Sequence, residues 1–218
     1  MYEINHQLPF NGFEVKSVLT LPTNAKSLIV FSHSGDGGSI VPIEREMSKY
    51  FQKSGFATLT YDFLHQHEKG YKIDSSILSR GMATSMLWLH DHSEYHSLAM
   101  GLFGISTGAA SIFKTAAELN TMVSAIVTLS ARTDLVTQEL SQVKCPTLLV
   151  VGELDFQGVK MNRQAIKKLT GPAQLAVVPG ASRLFEESGK LREVQQITGS
   201  WLHKHLPTAT KDRWLRQH

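Results

Sequence analysis

Seven short apolar runs recur along this chain, and between them the apolar spacing changes to that of helices. The runs Phe13–Leu21, Ser27–His33, Phe56–Asp62, Leu98–Ile105, Ala125–Leu129, Pro146–Gly152 and Gln174–Val178 predict strands. Several are apolar on both faces, as strands covered on both sides by helices must be. Ile43, Met47, Tyr50 and Phe51 share one helical face, with Pro42 in the first turn and Gly55 past the end. Leu78, Met82, Met86 and Leu89 repeat that spacing after Asp74, a candidate N-cap. Further helices are expected over Thr107–Leu119, before Gly171-Pro172, and along Leu191, Val194, Ile197 and Trp201. Strand–helix alternation of this kind implies an α/β domain with a mainly parallel sheet and helices on both faces. No repeat or linker divides the chain, so residues 1–218 read as one domain. In such sheets ligands sit beyond the carboxyl ends of the strands.

Composition narrows the classes. Of 218 residues 42% are hydrophobic and 19% charged, a globular balance rather than a disordered one. The 22 Lys and Arg outnumber the 19 Asp and Glu by only three, and they are spread out, so nucleic acid is not implied. Residues 206–218, with Lys211, Arg213 and Arg216, are expected to form a loose basic tail. A lone Cys145 excludes an intramolecular disulfide and any multi-cysteine zinc site. The start, Met1-Tyr-Glu-Ile-Asn-His, lacks the pattern of a signal peptide. Leu98–Phe113 is too short to span a bilayer and is broken by glycines. The expectation is a cytoplasmic protein with a small-molecule ligand, no membrane association, no metal and no cofactor.

Gly104-Ile105-Ser106-Thr107-Gly108 fits G-x-S-x-G, and it falls where an apolar strand runs directly into a helix. That is the setting of a nucleophile elbow, a sharp turn that lifts a serine hydroxyl clear of the backbone. The Thr107 N–H, at the helix start, is placed to stabilise an oxyanion. A second donor is expected from the glycine-rich stretch Ser32-His33-Ser34-Gly35-Asp36-Gly37-Gly38, through Ser34 or Gly35. A phosphate loop is excluded there, because no Lys-Ser/Thr follows and no G-x-G-x-x-G is present. Asp155 follows the strand PTLLVVG and comes after the serine in chain order, as a triad acid on this architecture must.

Together "IVFSHSGDGG", "GFATLTYDFL", "GLFGISTGAA", "TLLVVGELDFQGVKMNR" and "VVPGASRLFEESGKLREV" resemble the dienelactone hydrolase-like branch of the α/β-hydrolases, from about Ile29 to Leu206. The resemblance implies an α/β-hydrolase fold with little or no cap. It implies Ser106 as nucleophile, Asp155 as triad acid and the His33–Gly35 loop as part of the oxyanion hole. One departure stands out. Relatives carry the triad histidine in a segment like "GATHLFEEPG", whereas this chain reads Gly180-Ala181-Ser182-Arg183-Leu184-Phe185-Glu186-Glu187. Arg183 takes the histidine's place, and no histidine occurs between His96 and His203. A guanidinium cannot accept the serine's proton. Loss of such a histidine lowers kcat by about 10⁶, although a residual 10³–10⁴-fold over water can survive.

His65 and His67 follow the strand FATLTYD and are the candidates for a surrogate base. Their H-x-H spacing also suits a metal, but two exposed loop histidines are the better reading. His33 reads as structural, and His203 and His205 as surface residues of the last helix. Two functions remain open. One is a serine hydrolase of impaired or atypical activity on a small ester, lactone or thioester. The other is a non-catalytic member of the fold that binds a small ligand, anionic or neutral, or a protein partner. Arg183 is expected to pair with Asp155 in the place of the missing histidine.

Overall fold

In the computed structural model, residues 1–10, 12–32, 40–62 and 74–208 are described. Eight strands form one sheet: β1 (Tyr2–Phe10), β2 (Phe13–Leu21), β3 (Ser27–Ser32), β4 (Ala57–Asp62), β5 (Ala99–Ile105), β6 (Val123–Leu129), β7 (Thr147–Gly152) and β8 (Ala173–Val178). Five α-helices are interspersed: α1 (Val41–Lys53), α2 (Ser75–Asp91), α3 (Gly108–Glu118), α4 (Phe156–Ala165) and α5 (Lys190–His205). Two short 3-10 turns, Thr133–Val136 and Glu139–Gln142, follow β6. The spatial order is β1-β2-β4-β3-β5-β6-β7-β8. The β1–β2 and β2–β4 pairs are antiparallel and all others parallel. The mainly parallel α/β architecture read from the alternation is the one observed.

Parity along the inner strands builds two cores. Leu28 and Val30 of β3 pack with Leu78, Met82 and Met86 of α2 and Ile112 and Phe113 of α3. Ile29 and Phe31, one residue out of phase, pack with Ile43, Met47 and Phe51 of α1 and Val194, Trp201 and Leu202 of α5. Leu102 and Phe103, Ile126 and Val127, Leu149 and Val150 divide in the same way. Period-two side chains on a sheet covered by helices on both faces give this division. The helix starts follow their signals. Asp74 accepts from the Ser76 and Ile77 amides at 2.8 and 2.9 Å, which caps α2. Pro42 sits in the first turn of α1, and Gly55 leaves its end at φ +88°.

Three expectations are corrected. β1 was not anticipated: its outer half is exposed, and only Leu8 and Phe10 are fully buried. The loose tail does not begin at 206. Leu206 is in the core, and the Ser27 hydroxyl donates to the Pro207 carbonyl at 2.6 Å. Residues 209–218 lie outside the described part. His203 and His205 are half-buried rather than on the surface, with rings against Phe56 and Trp201 at 4.9 and 4.2 Å. No helix among the described residues is long and apolar enough to cross a membrane.

Candidate active site

Ser106 follows the carboxyl end of β5, with only Thr107 between it and the first residue of α3, and has φ +53°. A non-glycine residue in the left-handed region is costly unless its surroundings hold it there. Here the Ser106 N–H donates to the Leu129 carbonyl at 2.9 Å, and its carbonyl accepts from the Arg132 N–H at 3.2 Å. The strained serine is therefore clamped to β6 and to the loop that follows it. Gly104 permits this path: a Cβ there would meet the Ala109 Cα at 3.0 Å and the Ile112 Cγ1 at 2.7 Å. Thr107 begins the helix with helical dihedrals, so its N–H belongs to the first turn of α3. The strand-to-helix turn and the positive φ expected at G-x-S-x-G are observed.

Arg183 lies in the loop after β8. Its guanidinium donates to the Ser106 hydroxyl oxygen. The loop is fixed from three sides. The Ser130 hydroxyl donates to the Arg183 carbonyl at 2.7 Å. The Ser182 N–H donates to both Glu187 carboxylate oxygens at 3.0 Å, and this holds the Glu187 carboxyl below its ordinary range. The Gly180 N–H donates to the Glu153 carboxylate at 2.8 Å, joining the loop to the end of β7.

Asp155 sits in that neighbouring loop, at the carboxyl end of β7, as expected. Its carboxylate accepts from the Gly158 N–H at 2.9 Å and so caps α4. The expected Arg183–Asp155 pair is not formed: no ion pair within 4.0 Å joins them among the described residues. Arg183 turns to the serine instead, and Asp155 is engaged by the helix it starts. Arg132, beside Ser106, carries a fork onto Asp134 with both bonds at 2.8 Å, which lowers the Asp134 pKa.

Ser34 and Gly35, the candidate oxyanion donors, and His65 and His67, the candidate surrogate bases, lie outside the described residues, as does His33. Among the described residues, no group of three His, Cys, Asp or Glu side chains comes together in a way that could hold a metal ion. Sequence reasoning missed Ser130. It follows β6 immediately, is 3% exposed and has φ +46°, a second strained serine at the same edge. Its signal was positional: like Ser106 and Asp155, it lies just beyond the carboxyl end of a strand.

Comparison with known proteins bears on the fold and the family. No protein-family model matches the chain. The crystal structure of dienelactone hydrolase from Anabaena variabilis superposes with a TM-score of 0.88 at 31% identity, over 94% of this chain and 99% of that one. Est1E from Butyrivibrio proteoclasticus gives 0.76 at 14% identity, over 94% and 99%. An α/β serine hydrolase without lid from Xanthomonas campestris gives 0.73 at 16%, over 95% and 96%. A protein of two Mycobacterium tuberculosis strains, named "Putative phosphoribosyl transferase", is 36% identical over 192 residues. The match takes in 86% of this chain but 43% of theirs, so the chain spans under half the length of these curated relatives. A fold shared over nearly the full length of both chains, at an identity above chance, settles descent: this chain belongs to the dienelactone hydrolase-like family of the α/β-hydrolases.

Proposed function

We propose that the chain is a serine hydrolase-type protein whose action on small esters, lactones or thioesters through Ser106 is impaired. The observation that carries this is the Arg183 guanidinium donating to the Ser106 hydroxyl. In the working arrangement a base takes the serine proton as the oxygen attacks a carbonyl carbon. Arg183 offers five donors and no lone pair, so it cannot take the proton that a histidine in its place would take. What remains is an elbow, a helix start with the Thr107 N–H, and a cation beside the reacting oxygen. Those features bind and polarise a carbonyl group without completing general-base catalysis.

A second reading, binding without turnover, is favoured by the charge of the site. Arg183 makes no ion pair among the described residues and stands over the N-terminus of α3. A carboxylate or phosphoryl group there would accept from the guanidinium and from the helix start. The transferase name of the Mycobacterium relatives is not carried to this chain, since the match covers under half of them.

The test is hydrolysis of 4-nitrophenyl acetate by wild type, Ser106→Ala and Arg183→His. We expect weak activity that falls to background in Ser106→Ala and rises at least about tenfold in Arg183→His. Equal rates in wild type and Ser106→Ala, with no gain in Arg183→His, would sink the hydrolase reading and leave the binding one.

A further inference from the structure

The crevice between the two 3-10 turns after β6 and the C-terminal half of α4 plays no part in the reading above. Its volume is about 460 Å³, within the range of small-molecule sites. Leu140, Met161 and Ala165 give it an apolar lining. Two polar features interrupt that lining. Thr133 faces the crevice and is 2% exposed, yet its hydroxyl makes no hydrogen bond among the described residues. Lys167 and Lys168 stand at the mouth, exposed, and neither makes an ion pair among the described residues. The acid among the lining residues, Asp134, is already held by the Arg132 fork, so it offsets little of the lysine charge.

The geometry points to a second ligand site in this crevice, taking a small amphipathic carboxylate. Its apolar body rests on Leu140, Met161 and Ala165. Its carboxylate faces the two ammonium groups, and the Thr133 hydroxyl supplies one further hydrogen bond. Neutral apolar molecules satisfy the lining but not the rim, and compact inorganic anions satisfy the rim but not the lining. The charge complementarity therefore selects for a ligand carrying both parts.

Isothermal titration of the whole chain with 4-phenylbutyrate, beside 4-phenylbutan-1-ol, tests the assignment. Saturable binding with one equivalent of the carboxylate is expected, and the alcohol should bind at least about tenfold more weakly. Lys167→Glu/Lys168→Glu should weaken the carboxylate by a similar factor. Met161→Trp should abolish binding by filling the crevice. Because that variant alters a packed position, the reversal of two exposed lysines is the deciding one. No saturable binding below about 1 mM would overturn the proposal. Equal affinity for acid and alcohol would overturn the ligand class. Binding lost in Arg183→Gln but indifferent to the lysine reversal would place the probe at Ser106 and overturn the second site.

Discussion

The Ser130 hydroxyl spans 2.7 Å to the main-chain carbonyl of Arg183, so the end of β6 holds the residue that caps Ser106 from the far side of β7. Removing that hydroxyl should lower stability by about 0.5–1.5 kcal/mol. Ser130 also has φ +46°, where glycine is at ease and alanine is not. Ser130→Ala should therefore be the less stable variant and Ser130→Gly the more stable of the two. Urea denaturation at constant m gives both numbers. Glycine falling below alanine would remove the strain argument.

Gly104→Ala should cost about 1–3 kcal/mol, since the new methyl would press both on the Ile112 side chain and on the backbone of Ala109, and the backbone cannot turn aside. The helix start must shift, and Ser106 with it. Thermal unfolding measures the loss. A variant as stable as wild type would mean that α3 gives way more easily than the 3.0 Å contact suggests.

The loop that carries Arg183 should loosen in acid. The Ser182 amide holds the Glu187 pKa below its unfolded value. A depressed carboxylate contributes stability above the unfolded pKa and loses it as pH falls through the lower folded one. Glu187→Gln should accordingly be less stable than wild type near neutrality, with the gap closing below about pH 4. Denaturation of both proteins across that range checks the sign. A gap that widens in acid would contradict it.

Cys145 is buried, and burial raises its thiol pKa to about 11. In the folded protein it should react with a disulfide reagent near pH 8 no faster than the chain opens. Adding urea should accelerate labelling in step with unfolding. Rapid labelling of the native chain would show that the thiol is reached without unfolding.

Much of the sheet was readable because β3, β5, β6 and β7 are apolar on both faces and interrupted by clear turn signals. β1 escaped because an edge strand needs to bury only part of its length. Asn5, His6, Gln7 and Pro9 break the apolar alternation, and Leu8 and Phe10 alone are fully buried. The signal that would have found it was Asn11-Gly12 before an alternating run, a strong hairpin mark, with Gly12 at φ +87°. Ser106 was legible because the elbow is a local pattern. The partner of Arg183 was not, because its side-chain direction depends on how Ser130, Glu153 and Glu187 tether a distant loop. Asp155 carried a local clue, a glycine three residues on whose amide it accepts, as helix-capping aspartates do.

The alternating allegiance of the inner strands sets where this chain can change length. An inserted or deleted residue inside β3, β5, β6 or β7 would reverse every side chain beyond it, sending groups shaped for α1 and α5 toward α2 and α3. Connections at the carboxyl edge carry no such parity. Variation in length is therefore confined to the connections, among them the border where Ser106, Ser130, Asp155 and Arg183 stand. The scaffold can stay constant while the recognition surface is rebuilt.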